Sequence, residues 1–126
     1  MPNYKTIETK SFVPSRDFKL SKEFYVDIGF ELKWSDSDLA YFASGNSSFL
    51  LQNFYVKEHA DNFMMHLLVE SADDWWQRIK DNKIDEKYDI KLGEPEDREW
   101  GLRDFTLMDP TGVLWRIGNN IDKEVI

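Results

Sequence analysis

The fold follows from residues 10–34, KSFVPSRDFKLSKEFYVDIGFELKW, which contain the pattern of a strand, a helix and a second strand. Lys10–Pro14 is a short strand-like run, and Asp17 is a favourable helix N-cap. Three apolar residues recur four positions apart on one face of the predicted helix: Leu20, Phe24 and Ile28. Gly29 ends the helix, and the strand Phe30–Trp34 follows. Alternation puts three residues of that strand on one face: Phe30, Leu32 and Trp34.

The same order of elements occurs again further along the chain. A strand at Met64–Val69 precedes a helix whose first residues, Ser71 and Asp74, have the spacing of a capping box. Three strands are predicted after each helix: Phe30–Trp34, Leu39–Ala43 and Ser48–Phe54, then Tyr88–Leu92, Trp100–Met108 and Val113–Gly118. Asp109–Gly112 has Asp, Pro and Gly at positions that a type I turn prefers. The polar stretch Lys57–Asn62 joins the two copies.

This internal repeat predicts an α+β fold of two tandem βαβββ modules. The modules span about residues 5–56 and 62–121 of a single domain of residues 1–126. Each module leaves one face of its sheet bare, so two modules or two chains must close their sheets over each other. The space between such curved mixed sheets is a natural ligand cleft.

The composition excludes several classes of partner. The chain has 126 residues, and its 24 acidic and 16 basic side chains give a formal net charge of −8. Nucleic acid and anionic membrane surfaces repel such a chain, whereas cationic ligands suit it. The 15% of aromatic residues is sufficient for a packed core. No apolar run is long enough to span a bilayer, so we expect a cytoplasmic protein.

Two histidines and no cysteine restrict the chemistry of the chain. Thiolate zinc sites, cysteine nucleophiles and a three-histidine zinc site from one chain are excluded. His59 lies in the polar stretch between the copies, where a solvated position is expected. His66 lies in an apolar strand, where a lone histidine is more often a core or cleft residue than a ligand. No nucleophile elbow, phosphate loop or pair of general acid and base is evident.

Two tryptophans lie beside negative charge. Trp34 precedes the acidic turn at residues 35–38, and Trp100 follows the acidic run at residues 94–99. Flat aromatic faces flanked by carboxylates suit a planar, positively charged guest, through stacking and cation–π attraction. The alternative is that both tryptophans belong to the rim of the core, and the pattern alone does not separate these interpretations. The remaining tryptophans are assigned to packing of the second helix on its sheet: Trp75, Trp76 and Trp115.

Five short motifs connect the two copies with a known family. The first copy contains Val13–Phe18 (VPSRDF), Phe24–Tyr25 and Ile28–Glu31 (IGFE). The second contains Trp100–Phe105 (WGLRDF) and Asp109–Trp115 (DPTGVLW). In order and spacing they resemble the vicinal-oxygen-chelate superfamily, also called the glyoxalase/bleomycin-resistance/dioxygenase superfamily. The resemblance implies paired βαβββ modules and, usually, a homodimer whose clefts are built from both chains.

The metal-dependent enzymes of that superfamily take ligands from four strand positions. Carried onto this sequence, those positions resemble Lys10, Leu51 or Gln52, His66 and Arg116. Two cations beside a divalent metal are unfavourable, so the resemblance implies no metal and we predict no cofactor. The opening VPSRDF and the strand WGLRDF resemble the metal-free bleomycin-resistance branch, whose members sequester a drug. In that branch the tryptophan that matches Trp100 lines the drug groove.

The leading hypothesis is a dimeric, non-enzymatic protein that binds a planar or cationic small molecule. Trp34 and Trp100 are its predicted stacking platforms, and Asp104 is a predicted counter-charge. Three polar side chains are assigned to the cleft floor, beneath an acidic, aromatic rim: Lys10, His66 and Arg116. These three side chains suit an anionic or zwitterionic molecule equally well.

Alternation along the strand that contains Asp104 defines two faces. One face has Trp100, Leu102, Asp104 and Thr106. The other, which is predicted to pack on a helix, has Arg103, Phe105 and Leu107. Two further functions stay open: a metal-dependent lyase, isomerase or dioxygenase with a noncanonical site using His66, and a structural or protein-interaction module.

Overall fold

The computed structural model describes residues 1–121, so residues 122–126 of the predicted domain lie outside it. The elements in chain order are β1 (Phe12–Pro14), α1 (Phe18–Ile28), β2 (Glu31–Ser35), β3 (Leu39–Ser44), β4 (Ser47–Gln52), α2 (Lys57–Asp61), β5 (Met64–Leu68), α3 (Ala72–Asp81), α4 (Ile84–Lys87), β6 (Glu96–Asp97), β7 (Leu102–Met108) and β8 (Leu114–Asn120). None of the helices within residues 1–121 combines the length and the apolar character needed to cross a membrane.

The strands form two four-stranded mixed sheets, as the repeat predicts. Sheet A has the order β1-β4-β3-β2, and sheet B has the order β5-β8-β7-β6. The first pair in each sheet, β1 with β4 and β5 with β8, is parallel, and the other pairs are antiparallel. The α+β class and the duplicated topology are therefore confirmed.

Both long helices begin where their caps predict. The side chain of Asp17 accepts a hydrogen bond from the backbone N–H of Leu20 at 3.1 Å, and Ser71 accepts one from Asp74 at 3.1 Å. The buried face of α1 differs from the predicted one, because Leu20 is 37% exposed. The buried residues of α1 are Ser21, Phe24, Tyr25 and Ile28.

The second copy differs from its prediction at Tyr88–Leu92, which does not form a strand, although its last residue, Leu92, makes a single antiparallel bridge to Leu107 of β7. Tyr88 ends α4, is buried, and packs the edge of its ring on Phe24 of α1 at 5.3 Å. Asp89 has a φ of +50°, which a regular strand excludes. The outer strand of sheet B is instead β6, which pairs with the first half of β7. The predicted polar joint also contains a short helix, α2.

An aromatic core lies between the inner faces of the two sheets. Phe42 and Phe49 of sheet A stack with ring centroids 5.4 Å apart, and Phe49 lies 5.3 Å from Trp115 of sheet B. Tyr25 of α1 contacts all three rings at 4.9 to 5.7 Å. Because both inner faces pack into this core, the opposite face of each sheet is turned away from it.

A buried polar contact links α1 to the turn between β7 and β8. Asp109 in that turn accepts a hydrogen bond from the Tyr25 hydroxyl at 2.5 Å, and three more from the backbone N–H groups of residues 111–113, each at 2.9 Å. The indole N–H of Trp115 donates to the Tyr25 oxygen at 2.9 Å. Burial raises the pKa of Asp109 and of Tyr25.

Gly29, at the C-terminal end of α1, is contacted by a side chain of α3. Its φ is +120°, and the guanidinium of Arg78 from α3 occupies the space where a Cβ atom would lie. Arg78 donates to the carbonyl of Ile28 at 2.8 Å and lies over the ring of Trp75 at 4.6 Å. Replacing Gly29 by alanine would therefore strain the backbone and displace this guanidinium.

We expect Gly29→Ala to lower the free energy of unfolding by about 3 kcal/mol, the sum of the backbone strain and the lost hydrogen bond. Gly45 is the matched control, since its φ is also positive but no atom lies within 4 Å of the position that its Cβ atom would take. Gly45→Ala is expected to lower the free energy of unfolding by about 1 kcal/mol, from backbone strain alone. Urea denaturation measures both values, and equal losses would contradict a role for Arg78.

Candidate functional site

The open face of sheet A, which points away from the core, is aromatic. Strand pairing places one residue from each strand side by side on this face: Phe12, Leu50, Tyr41 and Trp34. The two ends of this row are strongly exposed, with Phe12 at 49% and Trp34 at 48%. Such a row offers a flat, apolar surface of the kind that ring systems stack on.

A β-bulge decides that Trp34 belongs to this row. Leu32 pairs with Phe42 of the core face, but the register then shifts, and Trp34 pairs with Tyr41 of the open face. The prediction that Trp34 shares a face with Phe30 and Leu32 is therefore wrong. The extra residue in a bulge reverses the direction of the side chains that follow it.

The segment before β1 lies against the same sheet. The Lys10 ammonium is paired with Glu8 and lies 5.1 Å from the centroid of the Tyr41 ring. Glu8 also accepts hydrogen bonds from Tyr41 and Ser48. The hydrogen bond from Lys10 holds the pKa of Glu8 below its ordinary value. A cavity of about 410 Å³ lies between this segment and the adjoining strands.

The open face of sheet B is polar and cationic. His66, Arg116 and Thr106 lie side by side across β5, β8 and β7. The predicted alternation of β7 holds, because Phe105 and Leu107 are fully buried in the core whereas Thr106 is not. Trp100 lies just before β7, in the turn from β6, and is 47% exposed.

Asp104 is buried beneath this face, and the structure corrects its predicted role as a counter-charge. Its carboxylate accepts hydrogen bonds from Arg98 Nε at 2.7 Å and from Arg116 Nη1 at 3.1 Å. The hydrogen bond to Asp104 raises the pKa of Arg98. Gly118 lies opposite Asp104, and a Cβ atom at Gly118 would be 2.7 Å from the Asp104 Cβ. The carboxylate is thus neutralised within the chain and does not face a guest as a free charge.

The comparison with known proteins identifies the family of the chain. The sequence matches the family model described as the Glyoxalase/Bleomycin resistance protein/Dioxygenase superfamily over residues 9–117. The chain belongs to this superfamily. Over 114 residues it is 27% identical to a bleomycin resistance protein of Klebsiella pneumoniae, a match that covers 86% of this chain and 88% of that protein.

Two solved structures extend the comparison to three dimensions. A bleomycin-binding protein complexed with bleomycin has a TM-score of 0.77 and 25% identity, covering 91% of this chain and 99% of that one. A bleomycin resistance determinant encoded on the transposon Tn5 has a TM-score of 0.75 and 22% identity, covering 91% and 98%. The superfamily fold is confirmed, and so is the resemblance to its bleomycin-resistance branch.

The donor set of this superfamily member does not fit the divalent metal of the related enzymes. One ligand position was predicted as Leu51 or Gln52. Leu51 is fully buried in the core, so Gln52 is the candidate that remains at this position. Lys10 is paired with Glu8, and Arg116 with Asp104, so neither position supplies a ligand. Within residues 1–121, no three His, Cys, Asp or Glu side chains are grouped to hold a metal ion.

The structure divides the predicted site residues between two sheets of this superfamily fold. Trp34 lies on sheet A, and Lys10 lies against it in the segment before β1, which begins at Phe12 and not at the predicted Lys10. The others lie on sheet B or its β6–β7 turn: His66, Trp100, Asp104 and Arg116. Sequence reasoning missed Arg98, although it is the one cation in the acidic run of residues 94–99. It also missed the row partners of Trp34, whose alternation is visible only once the strands are paired: Phe12, Tyr41 and Leu50.

Proposed function

We propose that this chain is a non-catalytic binding protein that sequesters a planar, drug-like molecule of the bleomycin type between two copies of itself. In this arrangement the open face of sheet A in one copy covers the open face of sheet B in its partner, and two-fold symmetry generates a second, identical cleft. The observation that carries the proposal is the aromatic row on the open face of sheet A, which is exposed at both of its ends, Phe12 and Trp34.

Exposed apolar side chains on both open faces support the dimer. Phe12 and Trp34 on sheet A are matched on sheet B by Met64 at 58% and Leu68 at 52% exposure. A sheet face of this kind is normally covered by another layer, and apolar patches on a protein surface mark sites of interaction. The inner layer is already filled by the aromatic core, so a second copy is proposed to supply the outer one.

The charges beside the aromatic row support a guest with a cationic part. Asp36 and Asp38 are exposed in the turn that follows Trp34. Hydrogen bonds from the backbone N–H groups of Asp38 and Leu39 lower the pKa of Asp36, so this carboxylate stays charged in neutral solution. A planar cation stacked on Trp34 would therefore lie next to a negative charge.

The relatives support the drug-binding character of the site. The Klebsiella pneumoniae relative is a bleomycin resistance protein, and the first of the two solved structures described above holds bleomycin. A protein of this kind acts by holding its ligand, which requires affinity and no catalytic groups. As described above, the residues at the predicted metal-ligand positions do not fit a divalent metal. A cytoplasmic location is part of the same proposal, and cell fractionation tests it.

Titration calorimetry with bleomycin tests the proposed function. We expect one bleomycin bound per chain, with an affinity in the micromolar range or tighter, about −8 kcal/mol or more favourable. Spermidine is the control ligand, because it is cationic but has no ring to stack. Absence of bleomycin binding, or equal affinity for spermidine, would overturn the proposal. Sedimentation equilibrium tests the dimer, whose mass is expected to be twice the 15.0 kDa of one chain.

A further inference from the structure

Two guanidinium groups on the open face of sheet B are anchored by one buried carboxylate. Arg98 donates to one carboxylate oxygen of Asp104 and Arg116 to both, and the Asp104 side chain is 1% exposed. The two arginine side chains remain 23% and 32% exposed. The carboxylate is therefore inaccessible to a ligand, whereas both cations are accessible.

Both arginines keep hydrogen-bond donors that the described residues do not use. A guanidinium has five N–H groups. Among residues 1–121, the hydrogen bonds of Arg98 involve its Nε, and those of Arg116 involve its Nη1. The remaining N–H groups are available to an acceptor on the open face. Guanidinium groups in a fixed orientation suit carboxylate, sulfonate and phosphate oxygens.

The local charge favours an anion, in a chain whose net charge is −8. Arg98 and Arg116 together exceed the charge of Asp104 by one positive unit. Glu96, 3.7 Å from Arg98 Nη1, offsets part of this charge, but its side chain is 67% exposed, so solvent and salt screen it. His66 lies beside Arg116 on the neighbouring strand and adds no negative charge.

The aromatic platform and the cation belong to the same turn. Trp100 lies two residues after Arg98, in a turn closed by the hydrogen bond from Gly101 N–H to the Arg98 carbonyl at 3.2 Å. The Arg98 N–H also donates to the carbonyl of Leu102 at 2.7 Å. Backbone bonds on both sides therefore hold Arg98 close to the start of β7.

We propose that Arg98 and Arg116 form a subsite for an anionic group on the bound molecule, with Asp104 as the residue that positions both guanidiniums. The proposal rests on the proposed function, because the ring system of the same guest stacks on Trp100. The ligand class is then an amphoteric aromatic molecule, with its acidic group on sheet B and its cationic part near the acidic turn after Trp34. Carboxylate, sulfonate and phosphate share this chemistry.

Two dyes with the same ring system test the subsite. 8-Anilinonaphthalene-1-sulfonate and N-phenyl-1-naphthylamine differ by one sulfonate group, and both fluoresce when they leave water. Arg116→Gln is expected to weaken sulfonate binding roughly tenfold and to leave the affinity for the neutral dye unchanged. Arg98→Gln is expected to have the same effect.

Arg103→Gln is the matched control. Arg103→Gln makes the same charge change in the same sheet, on β7, and the Arg103 side chain is also 32% exposed, but it bonds to Asp73 and Asp97 on the other face. Its replacement is expected to leave both affinities unchanged. An equal loss for Arg103→Gln and Arg116→Gln would show a general charge effect and overturn the subsite.

Asp104→Asn tests whether Asp104 positions the two guanidiniums or only reduces the attraction between the site and an anion. This variant removes a negative charge, so attraction alone would strengthen sulfonate binding, whereas loss of the anchor would weaken it. We expect weakening, and strengthening would overturn the positioning role. Circular dichroism reports whether Asp104→Asn folds, and the arginine variants decide the subsite if it does not.

The outcomes also distinguish this subsite from the proposed function. If bleomycin or the neutral dye binds and Arg116→Gln leaves sulfonate affinity unchanged, the subsite is wrong and the proposed function stands. If sulfonate selectivity is present but bleomycin does not bind, the subsite stands and the bleomycin-type guest is wrong. If no dye and no drug binds, both are wrong.

Discussion

Replacing Asp109 by alanine is expected to lower the free energy of unfolding by about 4 kcal/mol. Asp109 is 3% exposed, and its carboxylate accepts hydrogen bonds from the Tyr25 hydroxyl and from three backbone N–H groups of its own turn. The alanine variant leaves these donors without a partner in a site that water does not reach. Each unsatisfied buried donor costs roughly 1 to 3 kcal/mol, and partial relaxation of the turn reduces the sum. Urea denaturation of the purified protein measures the loss.

Asp36→Ala is the control for this prediction. Asp36 makes a similar turn, since it accepts hydrogen bonds from the backbone N–H groups of Asp38 and Leu39 at 2.8 Å. That turn is exposed, so water replaces the lost acceptor, and we expect a much smaller effect. Equal losses from the two variants would show that burial of the Asp109 contact contributes little.

Trp100→Ala is expected to weaken bleomycin binding by about 30-fold or more. A tryptophan at the centre of a binding site typically contributes at least about 2 kcal/mol, and about 1.4 kcal/mol corresponds to a tenfold change in affinity. The Trp100 side chain is 47% exposed, so its removal is expected to disturb the packing of the chain little. Titration calorimetry on the wild type and the variant measures the change.

Phe54→Ala is the matched control for Trp100→Ala. Phe54 is 56% exposed and lies after the end of β4, outside the strands of both sheets. Its removal is expected to leave bleomycin affinity unchanged, and an equal loss would contradict a specific role for Trp100. Trp34→Ala is expected to resemble Trp100→Ala, because the proposed cleft places sheet A of one copy over sheet B of the other. A loss confined to Trp100→Ala would place the guest on sheet B alone.

The parts of the fold that depend on near neighbours were predictable. Asp17 and Ser71 cap helices because their side chains reach a backbone N–H three residues ahead, and Gly29 ends the first helix because few other residues adopt its φ. The turn at residues 109–112 closes as its composition predicts, with the Gly112 N–H donating to the Asp109 carbonyl. Because these local signals occur in both halves of the chain, they are sufficient to predict two modules.

The errors concern residues whose role depends on distant partners. Tyr88 has the character of a strand residue, but α1 offers it an aromatic partner and the backbone continues as a turn. Leu20 fits the helical period, but the sheet contacts a face rotated from it, so Ser21 and Tyr25 are buried instead. Local propensity favours one structure at such positions, and tertiary packing selects another.

The sequence alone determined the duplicated strand–helix–strand order and the absence of cysteine chemistry, and its resemblance to the superfamily predicted cations, Lys10 and Arg116, at two metal-ligand positions. These properties depend on residue type and on spacing of a few residues. The tertiary structure alone decided which face each site residue occupies. One bulge moved Trp34 to the open face of sheet A, and two guanidiniums, together with Gly118 opposite Asp104, buried the Asp104 carboxylate. Both outcomes depend on pairing between strands, which the order of residues in one strand does not contain.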